Sequence, residues 1–353
     1  MESSPKMARR SGTSGSRVGV RAWREMVASY ATPDTRRSII QILTTALPFL
    51  AFAGAILYGV DNGWWPALAL TVPAAGFLVR LFAIQHDCGH GSFFKARWAN
   101  NLVGRLIGVL TLTPYTFWRT NHAIHHAGAG NLDRRGVGDV NTWTVREYFA
   151  EPRWKRFFYR SYRHPLVMFG LGPTFLFFIR HRFHIGPPLR DWRMWLSVLG
   201  TNTAIAGVLV VMGLTIGIGP FLISYLPIML LAASIGVWLF YVQHQFEHTY
   251  WDKTRSWSYR AAAVEGSSFY DLPRVLHWIT GHLGLHHIHH LSSRIPNYKL
   301  RACFDAHPEL RDARRLTLWS SLRCARLALW DEESRRLVSF RTAWQQARLT
   351  NRP

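Results

Sequence analysis

Hydrophobic positions in this chain are gathered into long runs, with polar and basic stretches between them. The first run, residues 38–60, reads SIIQILTTALPFLAFAGAILYGV. About 20 such residues in a helix cross a hydrocarbon core, so the run predicts a membrane span. Asp61, Asn62 and Gly63 then make a turn, and Trp64 and Trp65 follow as an interfacial aromatic pair. A second span is predicted over 66–84, with one charge, Arg80, near the end where it can snorkel to the surface. Third and fourth spans are predicted over 192–216 and 221–242, joined by a tight turn at 217–220. Two shorter apolar stretches, about 102–117 and 165–179, contain Pro and Gly and predict interfacial helices. The expected fold class is all-α and integral to a membrane. It has four transmembrane helices in two hairpins, interfacial helices and a cytoplasmic histidine-rich cap.

Charge fixes the expected orientation. The chain carries 42 Lys plus Arg against 20 Asp plus Glu, a net +22. Neither tight turn, 61–65 or 217–220, contains Lys or Arg, whereas the two ends and the middle loop hold almost all of them. Both termini and the middle loop are therefore expected on the cytoplasmic side. A nucleic-acid binder would share the basic charge but would not need the four spans. The expected domains are a basic cytoplasmic arm over 1–37, disordered in its early part, a body over 38–310 and a basic cytoplasmic tail over 311–353. Arg, Leu and Trp alternate in that tail, as in an amphipathic helix on a membrane surface. The first forty residues contain no signal-peptide pattern, so the first span is expected to direct insertion. Cys88, Cys303 and Cys324 have neither metal-finger spacing nor a disulfide framework, which suits a reducing compartment.

Seventeen His are present, and their placement matters more than their number. His86 and His90 follow the second span, one helical turn apart. His122, His125 and His126 follow the first interfacial stretch, again at separations of three and four. His244 and His248 follow the fourth span, and His286, His287, His289 and His290 form a last cluster. One such cluster is weak evidence. Several on one side of a membrane, brought together by packing of the hairpins, can hold two metal ions. Neutral imidazole suits iron, zinc or copper, and the chain has no Glu-x-x-His pair of the soluble carboxylate di-iron type. Asp87 and Glu247 lie inside clusters, where either could accept the second N–H of a ligand imidazole. His164, His181 and His184 are expected at headgroups or solvent, and His277 and His282 near the last cluster.

The order and spacing of the His86, His122 and His286 boxes around two hairpins resemble the membrane fatty acid desaturase family. So do the segments YVQHQFEHTYW (241–251), HHIHHLSSRIPNYKL (286–300) and GVGDVNTWTVREY (136–148), which are similar to bacterial acyl-lipid desaturases of the omega-6, or delta-12, type. The resemblance covers roughly residues 35–310. It implies metal ligands at His86, His90, His122, His125, His126, His286, His289 and His290, and a further one from His244 or His248, which spacing does not separate. It implies that His287 is structural or sits behind a ligand imidazole, that the cofactor is two non-haem iron ions, and that the reaction is dioxygen-dependent desaturation of an acyl chain of membrane lipid. The location it implies is a bacterial inner membrane. No dinucleotide fingerprint or fused redox module is present, so electrons are expected from a separate carrier such as ferredoxin with its reductase. The alternatives are a sister hydroxylase or carotenoid oxygenase with the same metal site, and a transporter with His-lined metal sites. The transporter predicts ionisable residues along a path through the spans, which are nearly free of them.

Overall fold

The structure, a computed structural model, describes residues 25–183 and 191–349. The first 24 residues of the basic arm, and His184, lie outside them. Asp34 starts the first long helix, α1 (Thr35–Asp61), where its carboxylate accepts from the Arg37 N–H. A 3-10 turn, Trp65–Leu70, leads into α2 (Thr71–His90). α2 does not stop at residue 84. It continues through the first histidine box and closes at Gly91, whose φ of 65° favours glycine. The following helices are α3 (Arg97–Leu110), α4 (Tyr115–Gly128), α5 (Arg153–Tyr162) and α6 (Gly172–Phe178). Next come the two long helices α7 (Trp192–Thr215) and α8 (Ile218–His244). The cap contributes α9 (His286–Leu291), α10 (Asn297–Ala306) and α11 (Phe340–Leu349).

Among the described residues, four segments are long and apolar enough to cross a membrane: α1, Trp65–His90, α7 and α8. The chain is a helical membrane protein with two hairpins, as the hydropathy pattern predicts. α2 is central and packs against α1, α3 and α8. α7 buries only Met194 and Val198 and turns its remaining apolar surface outward, as a helix facing lipid does.

The interfacial stretch expected over 102–117 is broken by an elbow at Thr111–Pro114. Leu112 takes a left-handed φ of 51° there. Thr111 Oγ1 donates to Gln85 Oε1 at 2.7 Å, which fixes the elbow to α2 directly beside His86. Tyr115 donates its hydroxyl to the Cys88 carbonyl at 2.7 Å, and its ring lies where a Cβ on Gly104 would go. The ring is held at both ends and cannot step aside. Gly104→Ala is therefore expected to destabilise the fold by about 1–3 kcal/mol, the usual range for overpacking. A lower midpoint in a thermal melt in mild detergent checks this.

Arg80 does not snorkel. It is buried, its Nε donates to Thr45 Oγ1 at 3.1 Å, and its Nη1 donates to the Trp278 carbonyl. Its guanidinium lies 4.0 Å from the Trp278 ring centroid. The cap descends over α2 and supplies partners that hydropathy cannot foresee.

Among the described residues, five strands of two or three residues supplement the helices. β1 (Trp143–Thr144) pairs in parallel with β4 (Leu329–Asp331), which pairs antiparallel with β5 (Arg336–Val338). β2 (Phe269–Asp271) pairs in parallel with β3 (Arg315–Thr317). These ladders tie residues 315–338 onto the body. A small second core, including Leu285, Ile288, Leu291, Leu300 and Cys303, seats α9 against α10.

Candidate metal centre

Each histidine is delivered by the end or the face of a short rigid element. α2 carries His86 and His90 on its last turn. α4 carries His122, His125 and His126, α8 ends on His244, and α9 carries His286, His289 and His290. Their side chains converge in two groups. His86, His90, His122, His126 and His289 form one, and His125, His244, His286 and His290 the other. Within each group the ligand nitrogens lie within 4.8 Å of one another. The groups abut, with the His126 and His290 rings stacked at 4.1 Å.

Helical geometry explains the partition. Residues i and i+4 share a face, and i+3 is offset from i+4 by a full residue step. α4 gives its i, i+4 pair, His122 and His126, to the first group and His125 to the second. α9 does the reverse, giving His286 and His290 to the second group and His289 to the first. The two helices cross-link the groups.

Several imidazoles point Nε2 at Nε2. His125 and His244 face each other at 3.2 Å, His244 and His286 at 2.9 Å, and His289 and His126 at 3.0 Å. The outer nitrogens decide where the protons are. Asp139 places its carboxylate against His125 Nδ1, and His244 Nδ1 donates to the Gly266 carbonyl at 3.1 Å. A neutral imidazole has one N–H, so in both rings Nε2 is left as a lone pair. Two lone pairs facing each other at that distance need a cation between them. His86 follows the same logic: its Nδ1 meets Asp87 at 3.2 Å, which frees Nε2. His90 Nε2 is buried with no hydrogen-bond partner. The donor set therefore fits bound metal.

Burial keeps the site's imidazoles in the ligand form. His286, His289 and His290 are buried, and their pKa values are driven well below the ordinary histidine range, first by burial and then by neighbouring rings. His122 and His126 keep some exposure but are shifted in the same direction for the same reasons. Neutral rings bind metal without first losing a proton. Trp118 stacks on His122 at 4.7 Å, and the Phe240 ring lies 5.0 Å from that of His125, so aromatic walls flank both groups.

The other sequence candidates separate clearly. His248 is exposed and in neither group, whereas His244 is in the second. Glu247 is also exposed and faces Arg336 Nη1 at 3.3 Å, not an imidazole. The chain leaves α8 at His244, so the residues after it no longer follow the helix face that spacing assumed. Asp87 is buried and accepts from the Asn297 backbone N–H at 2.6 Å and side-chain Nδ2 at 2.8 Å, tying α10 to the box on α2. His287 lies in the second core between Phe269 and Phe304, its pKa pushed down to about 4 by burial. His277 and His282 join neither group. His181, expected at solvent or headgroups, is buried against Phe117 and Phe177. Asp139 and Gly266 were missed. Asp139 lies outside every histidine box, in a segment without regular periodicity, and a backbone carbonyl leaves no trace in side-chain patterns.

A helical membrane body whose polar cap closes over two facing groups of imidazoles defines a membrane protein with a histidine metal centre. The fatty acid desaturase family profile matches residues 62–322. A fatty acid desaturase of Bacillus subtilis is 47% identical over 317 residues, covering 90% of each chain. An sn-1 oleoyl-lipid 12-desaturase of Synechocystis sp. is 29% identical over 78% of this chain and 74% of its own. An sn-1 acyl-lipid omega-3 desaturase (ferredoxin) of the same organism is 30% identical over 64% of this chain and 63% of its own. The chain belongs to the fatty acid desaturase family, and it is an oxidoreductase that desaturates fatty acyl chains.

Proposed function

We propose that the two histidine groups are the ligand sets of two iron ions, five imidazoles for one and four for the other, and that the enzyme desaturates acyl chains carried by membrane lipid. The observation that carries this reading is the facing pair His125 and His244, Nε2 to Nε2 at 3.2 Å, with Asp139 against the outer nitrogen of the first and the Gly266 carbonyl on that of the second. The iron pair supplies the oxidising power that side-chain acid–base chemistry lacks. The reaction removes two hydrogens from adjacent methylenes while one dioxygen, two electrons and two protons become two waters. The chain's own residues hold the imidazoles, keep them neutral and wall the site with Trp118 and Phe240. A separate carrier such as ferredoxin with its reductase supplies the electrons. The relative named for ferredoxin supports this, as does a basic face suited to an acidic partner. The setting is a bacterial inner membrane with termini and histidines in the cytoplasm, in keeping with the charge-free turns. Residues 38–310 are the desaturase body, and 1–37 and 311–353 its basic cytoplasmic extensions.

The test is a fatty-acid profile. The chain is expressed in a bacterium with a compatible ferredoxin, and total lipid is analysed by gas chromatography with mass spectrometry. A new double bond in phospholipid-bound acyl chains is expected, with about two irons per purified chain, set by the ligand number. New unsaturation confined to free or CoA-bound acids would refute the lipid-borne substrate, and stoichiometric zinc after iron-replete expression would refute the iron.

A further inference from the structure

A cleft of about 930 Å³ opens between α5, the segment 163–167, residues 325–328 and α11. Six arginines line it: Arg153, Arg156, Arg160, Arg163, Arg326 and Arg341. No carboxylate does, and among the described residues none of the six makes an ion pair.

The guanidinium groups of Arg156 and Arg160 lie over aromatic rings. Arg156 lies 5.9 Å from the ring centroids of both Tyr148 and Trp344, and Arg160 lies 5.3 Å from that of Phe340. A cation stacked on a ring is positioned without using its N–H donors. Arg163 forms the back wall. It is buried and bonds the Tyr241 hydroxyl at 3.1 Å, Gln245 Oε1 at 2.9 Å and the Leu327 carbonyl at 2.8 Å. Like charges converging on one concave space repel, and an anion with several acceptor oxygens relieves that repulsion. The cleft is of the size that takes a small-molecule ligand.

The surroundings identify the source of the anion. Trp154, Phe157 and Phe158 on α5 are 60%, 67% and 64% exposed, and Phe157 reaches the cleft. Exposed Leu166 and Leu171 continue this apolar surface toward α6. Aromatic residues beside arginines on a short helix suit the interface of a bilayer. A soluble phosphate has no need of an apolar rim, and an acidic protein would meet a recess where it needs a protruding face. We propose that this cleft binds the phosphodiester headgroup of an anionic glycerophospholipid, with Arg156, Arg160 and Arg341 holding the phosphate. Gln245 directly follows His244, so Arg163 links the lipid site to the second histidine group. The proposal does not depend on which acyl carrier is the substrate.

The test uses the full-length protein in vesicles of phosphatidylcholine containing a minor fraction of phosphatidylglycerol that bears a photoreactive headgroup. Cross-linked peptides are mapped by mass spectrometry. Adducts are expected on peptides covering 153–167 and 325–344, competed by unlabelled phosphatidylglycerol but not by phosphatidylcholine or inorganic phosphate. The triple variant Arg156→Gln/Arg160→Gln/Arg341→Gln is expected to need on the order of a hundredfold more phosphatidylglycerol for equal labelling, each cation near an anionic surface being worth roughly fivefold. The corresponding triple Lys variant, which keeps the charge, is expected to retain most labelling and so controls for folding. Labelling spread evenly over the basic surface and unchanged in the Gln variant would overturn the proposal. Competition by inorganic phosphate would assign a soluble anion instead. Unchanged lipid labelling with lost reduction by ferredoxin would assign the cleft to an acidic protein.

Discussion

His125→Ala is expected to abolish double-bond formation while leaving the protein inserted in the membrane. His125 supplies one of only four imidazoles in its group, with Nε2 3.2 Å from that of His244, and no other side chain in that group can replace it. Loss of one ligand from a four-imidazole set should cost more than the 10–100-fold that loss of an outer-shell partner costs a metal site. Bound metal should fall from about two toward one per chain, given one set broken and one intact. His290→Ala is expected to behave in the same way, and its effect on the His126 stack extends the damage toward the first group. His248→Ala is the matched control. That residue is exposed and outside both groups, so activity and metal content should match the wild type. Gas chromatography of total lipid and metal analysis of the purified variants read both quantities. Wild-type turnover in His125→Ala with full metal content would remove it from the ligand set, and lost metal in His248→Ala would return that residue to it.

Asp139→Asn is expected to weaken metal binding by about 10–100-fold, the effect of losing a carboxylate behind a ligand imidazole. The carboxylate against Nδ1 forces the proton onto that nitrogen and leaves Nε2 free. An amide has nearly the same shape but can present its N–H₂ to Nδ1. The ring then takes the other tautomer, and Nε2 carries a proton in place of a lone pair. The measurement is competition with a chelator of known affinity, which reads binding separately from turnover. Equal chelator concentrations for release from wild type and variant would show that Asp139 does not set the tautomer. Asp87→Asn should weaken the first group by the same route. It should also lower thermal stability, because Asp87 accepts two hydrogen bonds from Asn297 as well as contacting His86. Of the two Asn variants, only Asp139→Asn is thus expected to lose metal affinity without loss of stability.

The two acidic residues show what was legible in the sequence. Asp87 sits inside a histidine box, and its neighbourhood suggests a role. Asp139 lies fourteen positions beyond His125, since 139 − 125 = 14, in a segment without regular periodicity. No local pattern connects the two, and only the path of the 129–142 segment back over α4 brings them together. His244 and His248 make the same point. Both fit a helical spacing, but the helix ends at the first, and Glu247 and His248 turn outward.

The four spans, their pairing into hairpins and the placing of the histidines at their ends are all legible in local sequence. Runs of about 20 apolar residues have one low-energy solution in a bilayer, a helix that satisfies its own backbone, so the information is local. Helical spacing likewise determined which imidazoles within one box share a face. How the boxes combine is set by tertiary packing: α4 and α9 exchange their offset histidines between the groups, His244 and not His248 joins them, and Asp139 and the Gly266 carbonyl come to lie behind His125 and His244. Tertiary packing also buried Arg80 beneath Trp278 and brought arginines from α5 and α11 around one cleft. Each of these depends on contacts between residues far apart in the chain, and their geometry is set by packing of the cap onto the helices, which no window of sequence contains.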